Sequence, residues 1–446
     1  MSRPERARTK HDQPGPISPA RLAAFNILRR VEEGGYASIL LASRAERLKP
    51  ADRALCHELV LGVLRRQLWL DRLIEYYSDR SLTSLDTDVV IALRLGLYQL
   101  RFLSRIPAPA AVNESVKLVR RAGLRSAEGF VNAVLRRAIR EPDVNPAAAI
   151  SNPLARLAVE TSHPKWVLTR WINAFGTSEA EALARANNQP APVAFRIVRN
   201  KARESEIIDQ LRAKGAEVIA SQIARGAWRI TNGGSLLHEL AQSGQIYIQD
   251  EASQLVGQIV DAQPGDRVLD LCAAPGGKTT QIASQSNAIQ VIAGDVHEHR
   301  VRTVANVARL QSLSNIQSVV LNAEESPPFA PGSFDRVLVD APCSGTGTLR
   351  HNPEIRWRIS AAGIRDLANR QKQILLNAAG MVKTGGRLVY STCSVDPEEN
   401  EAVVSAFLNE TDSFAPLDLK DNPSLVTAGG HLRTWPHRDD VDGFFI

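Results

Sequence analysis

The sequence predicts a multidomain protein with an all-α N-terminal domain, a small α+β module and a C-terminal α/β domain on a doubly wound parallel sheet. Three observations predict this architecture: helical spacing of apolar residues over the first third of the chain, a mixed pattern after it, and then a regular alternation of strand and helix patterns. We predict domains at residues 18–142, 143–240 and 241–446, preceded by a disordered basic tail at residues 1–17.

The N-terminal domain begins at Ser18-Pro19, where a capping residue precedes a proline in the first helical turn. Apolar residues then recur three and four positions apart until Gly34-Gly35 ends the first helix. Four further segments show the same spacing and are separated by short breaks that are polar or contain Gly or Pro: 58–74, 86–102, 110–122 and 126–140. The pattern therefore predicts an all-helical bundle that ends near Pro142.

The two remaining parts combine strands and helices. The module has predicted helices at 164–175 and 204–214 and predicted strands at 193–198, 217–220 and 227–230. From residue 246 onward, helices separate five predicted strands, at 267–271, 289–294, 316–321, 334–339 and 386–391. This order is typical of a Rossmann-like sheet, in which ligands bind outside the carboxyl ends of the strands.

Charge and apolar content limit the classes of partner. Residues 1–150 contain 25 Lys and Arg against 16 Asp and Glu, whereas the rest of the chain contains 29 against 32. The excess is mostly arginine, which favours contact with phosphate. The charge alone fits equally a helical domain that binds nucleic acid and one whose arginines are ordinary solvated residues on outer helix faces. No segment approaches the roughly 20 apolar residues that cross a bilayer, and the N-terminus lacks a signal-peptide core. We expect a cytoplasmic monomer with no membrane contact.

The four cysteines, at positions 56, 272, 343 and 393, are too far apart for a Cys-x-x-Cys metal pair, and no Cys/His cluster has zinc spacing. We therefore expect free thiols and no metal. Cys343 follows the strand at 334–339, and Cys393 follows the strand at 386–391, so both thiols should face the crevice at the carboxyl edge of the sheet. The residues alone do not say which thiol is the nucleophile.

A glycine turn at 272–278 follows the first strand of the sheet. It is not a P-loop, because Cys272 occupies the position of the first glycine, and it lacks the Gly-x-Gly-x-x-Gly pattern of dinucleotide sites. Asp295 ends the second strand, where a carboxylate can accept both hydroxyls of a ribose. An adenosine without phosphates fits these features, and S-adenosylmethionine is such a ligand.

Three stretches, 272–278, 340–347 and 391–400, resemble the signature motifs of the RNA 5-methylcytosine methyltransferases. The helical domain resembles the NusB antitermination-factor fold at 95–100, 105–107, 113–116 and 131–136. Together the two resemblances cover nearly the whole chain from about Ser18. They imply an enzyme that methylates C5 of a cytosine in 16S ribosomal RNA and that binds RNA through a NusB-like domain.

The resemblance also implies residue roles. C5 of cytosine is a weak nucleophile, so a thiolate must first add to C6; Cys393 is the implied nucleophile, and Cys343 is implied to help release the product. Asp340 is the expected partner of N3. Contact with S-adenosylmethionine is implied for Cys272, Ala273, Ala274, Pro275, Gly276, Gly277, Lys278, Asp295, Asn322 and Asp340.

The chain departs from the family pattern at two places. Position 322 is usually an aspartate that contacts the adenine amino group, whereas this chain has Asn322, whose amide oxygen can still accept that hydrogen bond. The family also tends to continue past residues 442–445 into a final strand, and this chain stops at Ile446. We therefore expect a short or incomplete last strand.

Three other functions remain open from the sequence. Methylation of a tRNA cytosine would use the same residues. An RNA-binding module of the antitermination type, without catalysis, would explain the basic helical domain but not the glycine turn and the two thiols at strand ends. A methyltransferase for small molecules or proteins would share the sheet and the turn but would have no use for Cys343, Cys393 and a basic helical domain.

Overall fold

The computed structural model describes residues 17–419 and 422–446. The predicted tail at 1–17 lies outside the described residues except for Ile17. The chain divides into two compact units. The first contains the described residues up to Thr169 together with Asn352–Glu354, and the second contains Arg170–His351 and Ile355–Ile446. No helix in the described ranges is both long enough and apolar enough to cross a membrane.

The first unit is all-helical, as predicted. Its helices are α1 (Pro19–Glu32), α2 (Ala37–Arg44), α3 (Pro50–Arg65), α4 (Gln67–Ser78), α5 (Thr87–Phe102), α6 (Ala108–Arg121), α7 (Glu128–Arg140) and α8 (Pro153–Thr161). The central helix is α5, which packs against five of the others and is buried continuously from Val89 to Gln99. It is apolar on nearly all faces, which is the pattern of a helix surrounded by protein.

The prediction of one helix over 58–74 is wrong, because the structure has two helices there, α3 and α4. The chain leaves helical geometry at Arg66, where φ is −109° and ψ is 14°. Apolar spacing continues across this break because both helices bury their apolar faces in the same core, as Leu64 and Leu70 show. Close packing also explains Gly62 on α3, where a Cβ would lie 2.0 Å from Cζ of Tyr98.

The buried guanidinium of Arg94 is paired with one buried and one exposed carboxylate in this unit. The guanidinium of Arg94 on α5 donates to Asp71 on α4 and to Glu32 on α1, each at 2.6 Å. Arg94 and Asp71 are both buried, so each needs the other to offset the cost of leaving water. The three-residue contact thus ties α1 and α4 to the central helix.

Replacing Arg94 by Met should destabilise the helical unit by about 3–5 kcal/mol, because Asp71 would keep a buried charge without its partner. Hydrogen exchange of the α5 amides, resolved by mass spectrometry, should become faster. Arg30→Met is the matched control, since it removes an exposed pair with Glu33 and should leave exchange unchanged. Identical exchange in Arg94→Met and in the parent protein would show that the pair does not stabilise this unit.

The α+β module follows the helical unit and precedes the parallel sheet in the sequence. It is preceded by α9 (Lys165–Phe175) and α10 (Thr177–Ala186), and it contains β1 (Val193–Ile197), α11 (Glu204–Ala213), β2 (Glu217–Ala220), β3 (Ala227–Asn232), α12 (Leu237–Gln242) and β4 (Ile246–Ile248). The strands form an antiparallel sheet in the order β2-β3-β1-β4. The sequence pattern did not reveal β4, which is only three residues long.

The second sheet is parallel, with the order β7-β6-β5-β8-β9, and all five of its strands were predicted. Its elements are α13 (Glu251–Ile259), β5 (Arg267–Asp270), α14 (Gly277–Ala283), β6 (Gln290–Asp295), α15 (Glu298–Leu310), β7 (Ile316–Val320), β8 (Phe334–Asp340), α16 (Ile355–Arg358), α17 (Ala361–Ala379), β9 (Val382–Ser391) and α18 (Glu401–Glu410). The strand order reverses between β5 and β8, and the crevice of such a sheet lies at that point.

Residues near the C-terminus pair with the loop that follows β9. Phe445 forms isolated antiparallel bridges with Thr392 and with Arg433, and Ile446 exchanges backbone hydrogen bonds with Leu432. These residues therefore lie beside the segment that carries Cys393.

Candidate active site at the carboxyl edge of the parallel sheet

The glycine turn after β5 packs closely against neighbouring elements. Gly276 has φ of +107°, a conformation that favours glycine, and a Cβ there would lie 3.3 Å from Cα of Val304 on α15. A Cβ on Gly277 would lie 3.0 Å from the ring of Tyr247 on β4. The two glycines therefore let the turn approach both α15 and β4.

A cavity of about 190 Å³ opens beside this turn. Most of the residues predicted to bind the cofactor line it, whereas Gly276, Asp295 and Asn322 do not. The complete lining is Tyr247, Ile248, Gln249, Ser253, Asp270, Cys272, Ala273, Ala274, Pro275, Gly277, Lys278 and Asp340. The cavity is thus bounded by β4, the turn and the ends of β5 and β8.

Asp270, the last residue of β5, contributes a buried carboxyl group to the cavity. One of its oxygens, Oδ2, accepts a hydrogen bond from Thr279 at 2.7 Å, whereas Oδ1 is buried and has no hydrogen-bond partner within the described residues. Burial raises the pKa of Asp270 to about 7, an effect that the bond from Thr279 opposes and that the charge of Asp340 reinforces. A positively charged or hydrogen-bond-donating ligand group would satisfy Oδ1.

Lys278 and Asp340 form an ion pair across the crevice. Nζ of Lys278, on α14, donates to Oδ2 of Asp340 at 2.7 Å, and Ser391 at the end of β9 donates to Oδ1 at 2.8 Å. Burial acts to lower the pKa of Lys278, but the Asp340 carboxylate, with smaller contributions from Cys393 and Asp270, raises it above its ordinary value. Lys278 therefore carries a positive charge in the crevice, 5.0 Å from the ring centre of Phe444.

Asp295 and Asn322 lie at the ends of β6 and just beyond β7, on the same edge of the sheet. Asp295 is 4% exposed, and its Oδ1 accepts a hydrogen bond from the backbone of His297. The side-chain oxygen of Asn322 accepts a hydrogen bond from the amide of Glu324 at 3.1 Å, and its nitrogen donates to Glu325. The turn after β7 thus fixes the orientation of the Asn322 amide.

The thiols of Cys343 and Cys393 are in contact, with 3.3 Å between their Sγ atoms. Each cysteine follows the end of a strand, and these strands, β8 and β9, are neighbours in the sheet. The hydrogen bond to Cys393, together with burial, raises the pKa of the Cys343 thiol well above its ordinary value. Cys343 is therefore protonated at neutral pH. Cys272 is also a free thiol with a pKa raised by burial.

Comparison with known proteins identifies the family of this chain. It matches a NusB family model over residues 18–140, a ferredoxin-like domain of RsmF/B-like methyltransferases over 163–236, and the 16S rRNA methyltransferase RsmB/F model over 257–446. A probable ribosomal RNA small subunit methyltransferase B of Bacillus subtilis is 36% identical over 433 residues, covering 95% of this chain and 96% of the relative. The chain belongs to the ribosomal RNA small subunit methyltransferase B family.

Two further similarities support this assignment. The ribosomal RNA small subunit methyltransferase B of Pseudomonas putida is 34% identical over 431 residues, which are 95% of this chain and 97% of that protein. The crystal structure of PH0851 superimposes with a TM-score of 0.83 at 27% identity, covering 97% of this chain and 99% of that one. Family membership makes the protein a methyltransferase for ribosomal RNA and confirms the predicted NusB-like N-terminal domain.

Sequence patterns revealed some residues of this site and missed others. The structure brings together Cys343, Cys393, Asp340 and Lys278, all of which lie in predicted motifs. Asp270 was missed, although it ends a strand just as Asp340 does, and that shared position could have revealed it. Four further lining residues were missed because they lie around β4 and the start of α13, where no motif marks them: Tyr247, Ile248, Gln249 and Ser253.

Asp250, His351 and Asp442 also meet near this edge of the sheet, with one potential ligand atom from each within 4.8 Å of the others. Sequence spacing could not have shown this cluster, because its members come from three distant segments. Asp250 has a structural role there, since its Oδ1 accepts from the amide of Ala252 and caps α13, and its Oδ2 accepts from the amide of Asp442. Burial and the charge of Asp250 raise the pKa of Asp442 well above its ordinary value.

The contact between the thiols makes a testable prediction about their reactivity. Cys393→Ala removes the hydrogen-bond partner that raises the pKa of Cys343, so the pKa of Cys343 should fall and its thiolate should form at lower pH. The pH profile of Cys343 alkylation by iodoacetamide, followed by peptide mass spectrometry, should shift toward lower pH. Cys56→Ala, which changes a buried cysteine in the helical unit, is the control. An unshifted profile would contradict the coupling of the two thiols.

Proposed function

We propose that this protein transfers a methyl group from S-adenosylmethionine to C5 of a cytosine in 16S ribosomal RNA, through a covalent bond between Cys393 and C6. The observation that carries the proposal is the pair of thiols in contact, 3.3 Å apart, at the ends of neighbouring strands, beside the Lys278–Asp340 ion pair. Methylation of ribosomal RNA belongs to the family, whereas the cytosine C5 target and the covalent route are the proposal.

The residues around the cavity fit S-adenosylmethionine, which supplies the methyl group when bound. Its ammonium and sulfonium groups are cationic, and the free Oδ1 of Asp270 is a buried acceptor that such a ligand would satisfy. The glycine turn and Lys278 would border the ligand, Asp295 would accept the ribose hydroxyls, and Asn322 would contact the adenine amino group. Asp270 thus joins the cofactor residues that motif resemblance implied.

In the proposed reaction Cys393 attacks first. Its thiolate adds to C6 of the cytosine, which makes C5 nucleophilic enough to accept the methyl group. Lys278 is electrostatically coupled to Cys393, because a negative charge on Cys393 is one of the contributions that raise the pKa of Lys278. The ammonium group of Lys278 and a thiolate at Cys393 therefore attract each other.

Asp340 and Cys343 would act on the base before and after methyl transfer. Addition at C6 places electron density on N3, and Asp340 would hold a proton there, with Lys278 as the neighbouring donor. After transfer the C5 proton must leave, the bond from sulfur to C6 breaks, and its electrons restore the C5–C6 double bond. The hydrogen bond to Cys393 is the largest contribution that raises the pKa of Cys343, and it is lost once the Cys393 sulfur is bonded to C6. The Cys343 thiolate then forms more readily, and it would accept the C5 proton.

Incubation with S-adenosylmethionine and 16S ribosomal RNA, followed by nucleoside mass spectrometry, tests the proposed function. The expected product is 5-methylcytidine at one position. Methylation at another base atom would overturn the C5 assignment, and methylation of tRNA in place of 16S ribosomal RNA would overturn the substrate.

The two thiols should respond differently to removal. Cys393→Ala should abolish both methylation and the covalent RNA adduct, because the nucleophile is lost. Cys343→Ala should instead accumulate an adduct that survives denaturing electrophoresis, because attack and transfer remain possible while release is impaired. An adduct with Cys393→Ala that is absent with Cys343→Ala would exchange the two roles.

Asp295→Ala should weaken S-adenosylmethionine binding by about 1–3 kcal/mol, because two charge-assisted hydrogen bonds to the ribose are lost. Isothermal titration calorimetry measures this change directly. Glu298→Ala is the matched control, since Glu298 lies three residues away, is exposed and pairs with Arg302. Unchanged affinity of Asp295→Ala would remove this carboxylate from the cofactor site.

A further inference from the structure

Glu399 is a buried carboxylate that contacts both loops that carry the thiols. It lies in a short 3-10 turn at Pro397–Glu399, just before α18, and it is fully buried. Its Oε1 accepts from the backbone amide of Ser344 at 2.8 Å and from the side chain of Gln371, on α17, at 2.9 Å. One carboxylate oxygen thus joins the loop after β8 to the helix that covers the sheet.

The other carboxylate oxygen joins the two thiol loops to each other. Oε2 accepts from the hydroxyl of Ser344 and from the hydroxyl of Ser394, the latter at 2.6 Å. Ser344 directly follows Cys343, and Ser394 directly follows Cys393. The two hydroxyls also lie 3.1 Å apart. A single carboxylate therefore holds the residues that follow the two cysteines.

The backbone of Glu399 is anchored as well. Its carbonyl accepts a hydrogen bond from the hydroxyl of Tyr390, on β9, at 2.6 Å. The carboxylate is thus fixed to the strand that precedes Cys393, and the loop after β8 is fixed to the carboxylate. Movement of one thiol loop relative to the other would break at least one of these bonds.

The environment of Glu399 makes these bonds costly to lose. Burial raises the pKa of Glu399, and the hydrogen bonds from Ser344, Ser394 and Gln371 act to lower it. Four donors match the four lone-pair directions of a carboxylate. Because an unsatisfied buried carboxylate is unfavourable, the charged group favours the one loop arrangement that supplies all four donors.

We propose that Glu399 is a positioning residue that fixes the spacing of the Cys343 and Cys393 thiols. The proposal rests on the proposed function to the extent that these thiols carry the reaction. Glu399 makes no hydrogen bond to either thiol; it acts through Ser344 and Ser394, and its charge adds to the effects that raise the pKa of Cys343. Its loss should affect the chemical steps more than binding of RNA or cofactor, because the cavity beside the glycine turn does not include it.

The test compares Glu399→Gln with Glu398→Gln. The two glutamates are neighbours and lose the same charge, but the Glu398 side chain is 46% exposed and pairs with Arg170. Glu399→Gln should lower kcat by roughly tenfold or more, the rate equivalent of one charge-assisted hydrogen bond, with KM for RNA within about twofold of the parent. Glu398→Gln should keep both values within about twofold.

A second measurement needs no RNA. Diamide takes up the hydrogens of two thiols and leaves a disulfide, so the rate of Cys343–Cys393 bridging, followed by peptide mass spectrometry, reports how well the thiols are held together. The rate is measured as a pH profile, because loss of the Glu399 charge also lowers the pKa of Cys343 and the profile separates that effect from the spacing of the thiols. At the alkaline plateau of the profile, Glu399→Gln should slow bridging, whereas Glu398→Gln should not. This readout is independent of the methylated base, so the proposed function could fail while the positioning role stands.

Thermal unfolding and calorimetry of S-adenosylmethionine binding show whether the variants are folded. If Glu399→Gln does not fold, Ser344→Ala and Ser394→Ala test the proposal in its place, because each removes one donor and keeps the carboxylate. Both serine variants should lower kcat and slow bridging. A folded Glu399→Gln, or folded serine variants, with kcat and bridging rates within about twofold of the parent would overturn the proposal. A fall in kcat together with an equal rise in KM would also overturn it, since it would place Glu399 in RNA binding.

Discussion

The ion pair between Lys278 and Asp340 joins the two sides of the crevice, and the arrangement of the site depends on it. Lys278 belongs to the helix that follows β5, and Asp340 ends β8, the neighbouring strand across the point where the sheet order reverses. Without this carboxylate, the ammonium group of Lys278 would lose its proton or leave its position in the crevice. Ser391 extends the contact to β9, so the Asp340 carboxylate joins the helix after β5 to the ends of β8 and β9.

Asp270 and Asp340, neighbouring acids at this edge, have different surroundings. Asp340 has both oxygens engaged, by an ammonium group and a hydroxyl, whereas Asp270 has one hydroxyl partner and a pKa raised to about 7 by burial. Asp270 is therefore close to the balance between its neutral and charged forms at physiological pH, and a cationic ligand would shift it toward the carboxylate. Among the thiols, Cys343 is held in its protonated form by its bond to Cys393 and by burial.

Much of this arrangement could be predicted from the sequence, for a physical reason. Parallel strands are buried on both faces and appear as continuous apolar runs, and any polar residue that ends such a run lies at the functional edge, as Asp295, Asp340 and Ser391 do. What could not be predicted depends on packing between distant segments. The break at Arg66 and the strand β4 leave no periodic signal, and the residue pattern around Glu399 does not show that its carboxylate reaches the loops after both thiols.

Under the proposed function, the carboxylates at the carboxyl edge of the sheet also explain how Asn322 can stand where the family usually has an aspartate. An aspartate at 322 would add negative charge to an edge that already carries Asp270, Asp295 and Asp340. Among the described residues, Lys278 pairs with Asp340 and Arg300 pairs with Asp295. The amide oxygen of Asn322 is held by the backbone of Glu324, so its direction is set without a charge. A neutral acceptor that is fixed in place can recognise the adenine amino group by accepting its hydrogen bond. The three acids supply the electrostatic attraction for a cationic ligand.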